Sequence, residues 1–325
     1  MRYIISCAVA SLGFALPAMA EVPKVVTDIH PVHALVSQVM GDLGAPVLLL
    51  ERGASEHDFQ LRPSQAADLA DADLVVWIGP ELTPWLDRAL DGLGGDSAHL
   101  ALLAAKGTTL RDFAKDGAHL HGDAEAEESG HDDHGHEDHG HEDHAEEGHS
   151  HEGTDPHAWL DPANAKLWLG VIAAELGRID AANAATYAAN ATAAATQIDA
   201  LDAEVAALLA PAAKTPLIVF HDAYGYYAAH YGLQVFGSIA LGDATAPGAA
   251  RLAELRAGVE GAAKLCLFPE AQHDDGLVQQ LADGTGASIG AALDPNGSTQ
   301  EPGPEAYAGL LRGLATAIAD CAAGR

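Results

Sequence analysis

The sequence predicts an α/β fold, arranged as two α/β lobes with parallel-type sheets joined by a long helix. Three observations carry this reading. Short β-rich apolar runs alternate with helical stretches early in the chain, the same rhythm returns late, and one sustained helical period lies between them.

The first twenty residues stand apart from the fold. Arg2 gives a positive start, Ile4 to Leu16 an apolar stretch of 13, and Ala18-Met19-Ala20 a small-x-small cleavage site. That is the pattern of a secretory signal peptide over 1–20, too short at its apolar core to span a bilayer. No later segment is long and apolar enough for direct membrane insertion. From residue 21 an N-terminal lobe runs to 180. Its strands are expected at Lys24–Ile29, Pro46–Leu50 and Leu74–Ile78, with helical text at Ala34–Met40 and Ser64–Leu69. In the Ala-rich tract that follows, Tyr187, Ala191, Ala194, Ile198, Leu201, Val205 and Leu208 recur at steps of four and three. This predicts a linking helix over 181–211, ended by Pro211 and about 45 Å long. The C-terminal lobe, 212–325, has strand candidates at Pro216–Phe220, Gln234–Ile239, Lys264–Phe268 and Ala287–Leu293.

Charge narrows the choice of partner. Sixteen Lys and Arg stand against 47 Asp and Glu, a formal charge of −31 over 325 residues. Broad electrostatic binding of nucleic acid or anionic lipid needs a basic face, so the charge argues strongly against it; cations are favoured. Past the signal peptide two cysteines remain, Cys266 and Cys321. In an exported, oxidising compartment such a pair reads as a disulfide closing the C-terminal region, with two free buried thiols as the alternative.

Eighteen histidines are the informative feature. Ten lie between His119 and Glu152, with thirteen acidic residues and no Lys or Arg. No large apolar residue occurs between Gly122 and Gly153, so this stretch is expected to be a disordered loop inserted in the N-terminal lobe. Imidazole beside carboxylate at that density gathers metal. His134-x-His136-x-Asp138-His139 matches the HxHxDH signature of metallo-β-lactamase-like hydrolases. Here, however, it arises from a five-residue repeat with no strand before it to fix the ligands.

Three other histidines are better placed. His57 sits in Gly53-Ala-Ser-Glu-His-Asp58, just past the strand ending near Leu50. His157 sits in Asp155-Pro-His-Ala-Trp-Leu160, before an apparent helix start at Asp161-Pro162. His221 directly follows the strand Leu217–Phe220, and Asp294 likewise follows the last strand candidate. Open α/β sheets bind ligands beyond the carboxyl ends of their strands, so facing lobes would gather these residues in one cleft. Three imidazoles suit Zn²⁺ over Ca²⁺, Mg²⁺ or Mn²⁺, although copper(II) and nickel also accept such donors. A tetrahedral ion then needs a fourth ligand, with Glu56, Asp294 and water as candidates. His30, His33, His99, His230 and His273 have no such placement and read as surface or structural.

These motifs resemble the periplasmic solute-binding proteins of zinc-uptake ABC transporters, the ZnuA family. The resemblance extends over Leu61-Arg-Pro-Ser64, Ala72-Asp-Leu-Val-Val-Trp-Ile-Gly-Pro80, Phe220-His-Asp-Ala-Tyr-Gly225 and Leu293-Asp-Pro295. It implies a rigid linking helix, metal in the interlobe cleft, and His57, His157 and His221 as zinc ligands. Glu56 matches a further ligand of some members, and manganese-binding relatives carry Glu at the position of His221. The Cys266–Cys321 pair matches a disulfide of some zinc members.

The function expected is therefore capture of zinc in the periplasm and its delivery to an inner-membrane ABC permease. Zn²⁺ is then the transported ligand rather than a catalytic cofactor, and the protein is a monomer and not an enzyme. The competing readings are a periplasmic zinc hydrolase, against which stand the lack of HExxH and of a general base other than Glu56, and a passive zinc buffer.

Overall fold

The computed structural model describes residues 22–56, 59–93, 97–113, 153–240, 248–259, 264–283 and 285–325. The expected signal peptide, the His-rich segment 119–152 and His57 lie outside them.

Two parallel sheets form with the same strand order. In the first, β1 (Val25–Thr27) lies between β2 (Val47–Leu48) and β3 (Leu74–Trp77), and β4 (Ala98–Ala101) completes the far side. In the second, β5 (Pro216–Val219) lies between β6 (Gln234–Ser238) and β7 (Cys266–Leu267), with β8 (Ser288–Ile289) beyond. An order of this kind reverses its winding beside the first strand. Each lobe therefore opens a crevice past the carboxyl ends of its two middle strands, β1 and β3 in one and β5 and β7 in the other.

The middle strands β1, β3, β5 and β7 are buried on both faces because both faces are covered. Val25, Leu74 and Val76 point into a central core. Val26, Val75 and Trp77 pack outward against Leu86 and Leu90 of α3 (Pro84–Leu93). Likewise Leu217 and Val219 face the centre, while Ile218 and Phe220 meet Leu252 and Leu255 of α7 (Ala249–Gly258). The period-2 alternation of a strand decides which core each residue joins.

The central core is continuous through both lobes. It is built on α1 (His30–Met40), α4 (Pro162–Ile179), α5 (Ala184–Leu209) and α9 (Ala306–Ala323). With 26 residues, α5 runs about 39 Å at the α-helical rise. Its buried residues are Tyr187, Ala191, Ala194, Ile198, Leu201, Val205 and Leu209. The predicted stripe is correct up to its last member. Leu208 is exposed and Leu209 buried, because the final step is four residues rather than three. The turn from α4 into α5 is fixed by Asp180, whose carboxylate accepts from Asn183 Nδ2 (2.6 Å) and the Tyr187 hydroxyl (2.9 Å). The Cys266–Cys321 disulfide forms, joining β7 to α9 across 6.1 Å between Cα atoms.

Several bonds tie the halves together around the crevices. Trp159 Nε1 donates to the Pro295 carbonyl (2.8 Å), and the Tyr307 hydroxyl donates to the Trp159 carbonyl (2.8 Å). Arg52 reaches over to Glu301 and to the Thr299 carbonyl (3.0 Å for the latter).

Candidate metal centre

His221 is delivered by the end of β5. The strand's alternation is complete at Phe220, and the chain turns through His221-Asp-Ala-Tyr before α6 (Gly225–Tyr231) begins. His157 arrives from the other half, on a loop tied to its surroundings at both ends. Thr154 bridges to Asp112, and a single 3₁₀ turn, Ala158–Leu160, follows the histidine. The Tyr226 hydroxyl donates to the Asp155 carbonyl (3.0 Å) and accepts from the Arg111 amide (2.8 Å), so a residue of α6 clamps the loop that carries His157.

The two rings meet with their Nε2 atoms 3.5 Å apart and their planes inclined at 60°. Both are buried, at 1% and 3% exposure. Behind each ring stands a carboxylate. His157 Nδ1 is 2.8 Å from Asp155 Oδ1, which also accepts from the His157 backbone amide (2.9 Å). His221 Nδ1 is 2.6 Å from Glu270 Oε2. An ionised carboxylate only accepts, so in a neutral ring each Nδ1 keeps the proton and each Nε2 presents its lone pair. Two lone pairs facing across 3.5 Å repel unless a cation sits with them. An ion bonded to both nitrogens at about 2.0–2.1 Å in a tetrahedron would separate them by about 3.4 Å. The carboxylate behind each imidazole is the arrangement that fixes ring orientation and raises basicity at metal sites.

The remaining candidates divide. Glu56 is buried, on the loop following β2, and its Oε1 accepts from Asn296 Nδ2 (2.5 Å), a bond between the two halves of the chain. Asp294 is held by its own turn. Oδ1 accepts from the Ser298 amide and hydroxyl, and Oδ2 from the Thr299 amide and hydroxyl. Among the described residues, one set of three offers one ligand atom each within 4.8 Å of one another: His221, Glu270 and His273.

Burial shapes the titration of the surroundings. It lifts the Asp28 carboxyl, at the end of β1, to about 7, with the nearby Glu56 charge adding to the effect. It lowers the His30 imidazole to about 4. Burial, then the charges of Glu270 and Asp294, raises the Tyr224 phenol well above its usual range.

Of the histidines read as surface or structural, His30 and His33 are buried at the start of α1, and His99 is exposed on β4. His230 bridges two aspartates. His273 lies beside the centre, which its sequence context did not signal. Asp155 and Glu270 also lie outside the candidate set, although the sequence carries a signal for each. Asp155 stands two residues before His157, and Glu270 closely follows a strand candidate, where the reasoning applied to His221 applies equally.

Comparison with known proteins identifies relatives of the chain. Residues 25–321 match the family model of ZnuA, zinc-uptake complex component A, periplasmic. The chain is 52% identical over 313 residues to the high-affinity zinc uptake system protein ZnuA of Paracoccus denitrificans, covering 96% of each chain. It is 41% identical over 317 residues to the protein of that name from Brucella abortus, covering 95% of each. Among solved structures it shares its fold with a ZnuA crystal structure (TM-score 0.71, 24% identity, 92% of this chain and 99% of that one). The manganese complex of the solute-binding protein FpvC from Pseudomonas aeruginosa is similarly alike in fold (TM-score 0.72, 20% identity, 93% and 98%). The chain belongs to the ZnuA family of periplasmic zinc-uptake components.

Proposed function

We propose that this protein binds a single zinc ion tightly between its lobes and delivers it to an ABC permease of the inner membrane, working as a monomer. His157 and His221 supply two nitrogens, His57 the third, and Glu56 or a water the fourth donor. Zinc is cargo here, and the protein belongs to a family of transport proteins rather than enzymes. The observation that carries the reading is the pair of Nε2 atoms 3.5 Å apart, each ring backed by a carboxylate. Export rests on the signal peptide pattern over 1–20, and the charge of −31 argues against nucleic acid as a partner. The His-rich segment 119–152 is read as a tethered reservoir whose ions are weaker than the central one, since unfixed ligands lose more entropy on binding.

A competitive titration against a zinc chelator tests this. His157→Ala and His221→Ala should each abolish the tightest site, while deletion of 119–152 should lower the number of ions bound and keep that site. A tightest site that disappears with 119–152 would move the function to that segment.

A further inference from the structure

Outside the His157–His221 pair, a second donor set faces the same carboxylate from the solvent side. Glu270 uses Oε2 for His221 Nδ1, and its other oxygen, Oε1, lies 3.7 Å from His273 Nε2. The His273 ring is held in place by stacking on Phe220, centroids 4.3 Å apart and planes inclined at 19°. Its backbone amide bonds to the Glu270 carbonyl (3.1 Å), which closes the short turn carrying both donors.

Exposure falls sharply from the rim of this set to its interior. Asp274 and Asp275 are exposed next to His273, the His273 side chain is 31% exposed, and those of Glu270 and His221 are 2% and 4% exposed. The centroid distance from His273 to His221 is 6.3 Å. At bonds of about 2.0–2.2 Å a zinc tetrahedron separates two donors by about 3.3–3.6 Å, so the 3.7 Å between Nε2 and Oε1 is close to one edge and needs only a small side-chain shift to accept an ion.

We propose that His273 and Glu270 Oε1 form a two-donor landing station, through which zinc reaches and leaves the deeper site between His157 and His221. This rests on the zinc-binding reading above. With two protein donors and the remaining positions held by water, the station binds weakly and exchanges fast. Zinc sheds its waters in steps there, one pair at the rim and the rest on passing inward. The shared carboxylate makes the two positions compete. An ion on Oε1 draws charge away from the oxygen that orients His221, so the station empties as the deeper site fills.

A waypoint changes rates and not equilibria. On the full chain, with zinc below the protein concentration, loading can be followed by tryptophan fluorescence, since the Trp159 ring lies 5.1 Å from His157. Release is followed into excess chelator. His273→Phe keeps the ring stacked on Phe220 and removes the nitrogen. It should slow loading and release by the same factor, on the order of tenfold, and leave the dissociation constant unchanged. His273→Gln, with melting curves for both variants, guards against a stacking artefact and should give the same result. Unchanged rates would overturn the station. A changed dissociation constant would also overturn it, by making His273 a resident ligand or a structural support. If the wild-type chain shows no tight zinc site, the proposed function itself fails, an outcome distinct from either of these.

Discussion

His157 Nε2 and His221 Nε2 stand 3.5 Å apart, brought together from two halves of the chain, and each ring's far nitrogen is held by a buried carboxylate. The spacing is close to one edge of a zinc tetrahedron. Contacts within the protein therefore hold both rings in the orientation that the proposed zinc site needs. Preorganisation lowers the ordering cost of binding and favours a tight central site over the unfixed imidazoles of 119–152.

Asp155 should matter almost as much as the imidazole it holds. Asp155→Asn keeps an acceptor near Nδ1 and removes the charge. Zinc affinity is expected to fall by about 10–100-fold, the usual cost of losing a carboxylate behind a ligating histidine. A competitive titration, with a circular dichroism spectrum to verify folding, is the check.

His230 predicts a pH-dependent clasp. Its Nδ1 lies 3.1 Å from Asp161 and its Nε2 2.9 Å from Asp202, joining α6 to the start of α4 and to α5. The bond to Asp161, followed by that to Asp202, raises the imidazole above its ordinary value. A group raised on folding contributes stability that is complete below its unfolded pKa of about 6.5 and is lost as pH climbs through the folded value. The melting temperature of His230→Gln should therefore lie furthest below wild type near about pH 5.5 and approach it near about pH 9. A gap that widens with pH would contradict the assignment.

The disulfide should stabilise the C-terminal lobe. It closes a loop with a sequence separation of 55, for which the chain-entropy model gives about 4 kcal/mol. Denaturant unfolding of the Cys266→Ala/Cys321→Ala double variant should show a loss of that order.

Neighbouring leucines test the register of α5. Leu209 is 1% exposed and Leu208 36%. Leu209→Ala is expected to cost about 2–4 kcal/mol and Leu208→Ala less than about 1. Equal costs in chemical denaturation would mean that the helix is rotated from the position described.

That pair also marks where sequence reasoning stops. The stripe from Tyr187 to Val205 is readable because a long helix repeats its period many times. Its last step is not, since Leu208 and Leu209 satisfy a three- or four-residue step equally well and only the surroundings choose. Strands β1 to β3 and β5 to β8 all fall inside the predicted runs, and β3, β5 and β7, buried on both faces, are the ones written as continuous apolar text. β4, Ala98–Ala101, lies outside the predicted runs: it holds an exposed histidine and its other residues are only half-buried, so no continuous apolar text marks it. His157 and His221 were legible from their position beyond strands or before a helix. Glu270 is signalled by its place just past a strand candidate and His273 by nothing local; both come within reach of His221 only when β7 lies next to β5, which the sheet order decides.

The most direct test of the central claim is anomalous diffraction at the zinc edge from crystals of the complex prepared with one equivalent of zinc. The account predicts a single strong peak about 2.0–2.2 Å from both His157 Nε2 and His221 Nε2, with a third nitrogen from His57. A principal peak on Glu270 and His273, or one bound to only one of the two facing imidazoles, would contradict it.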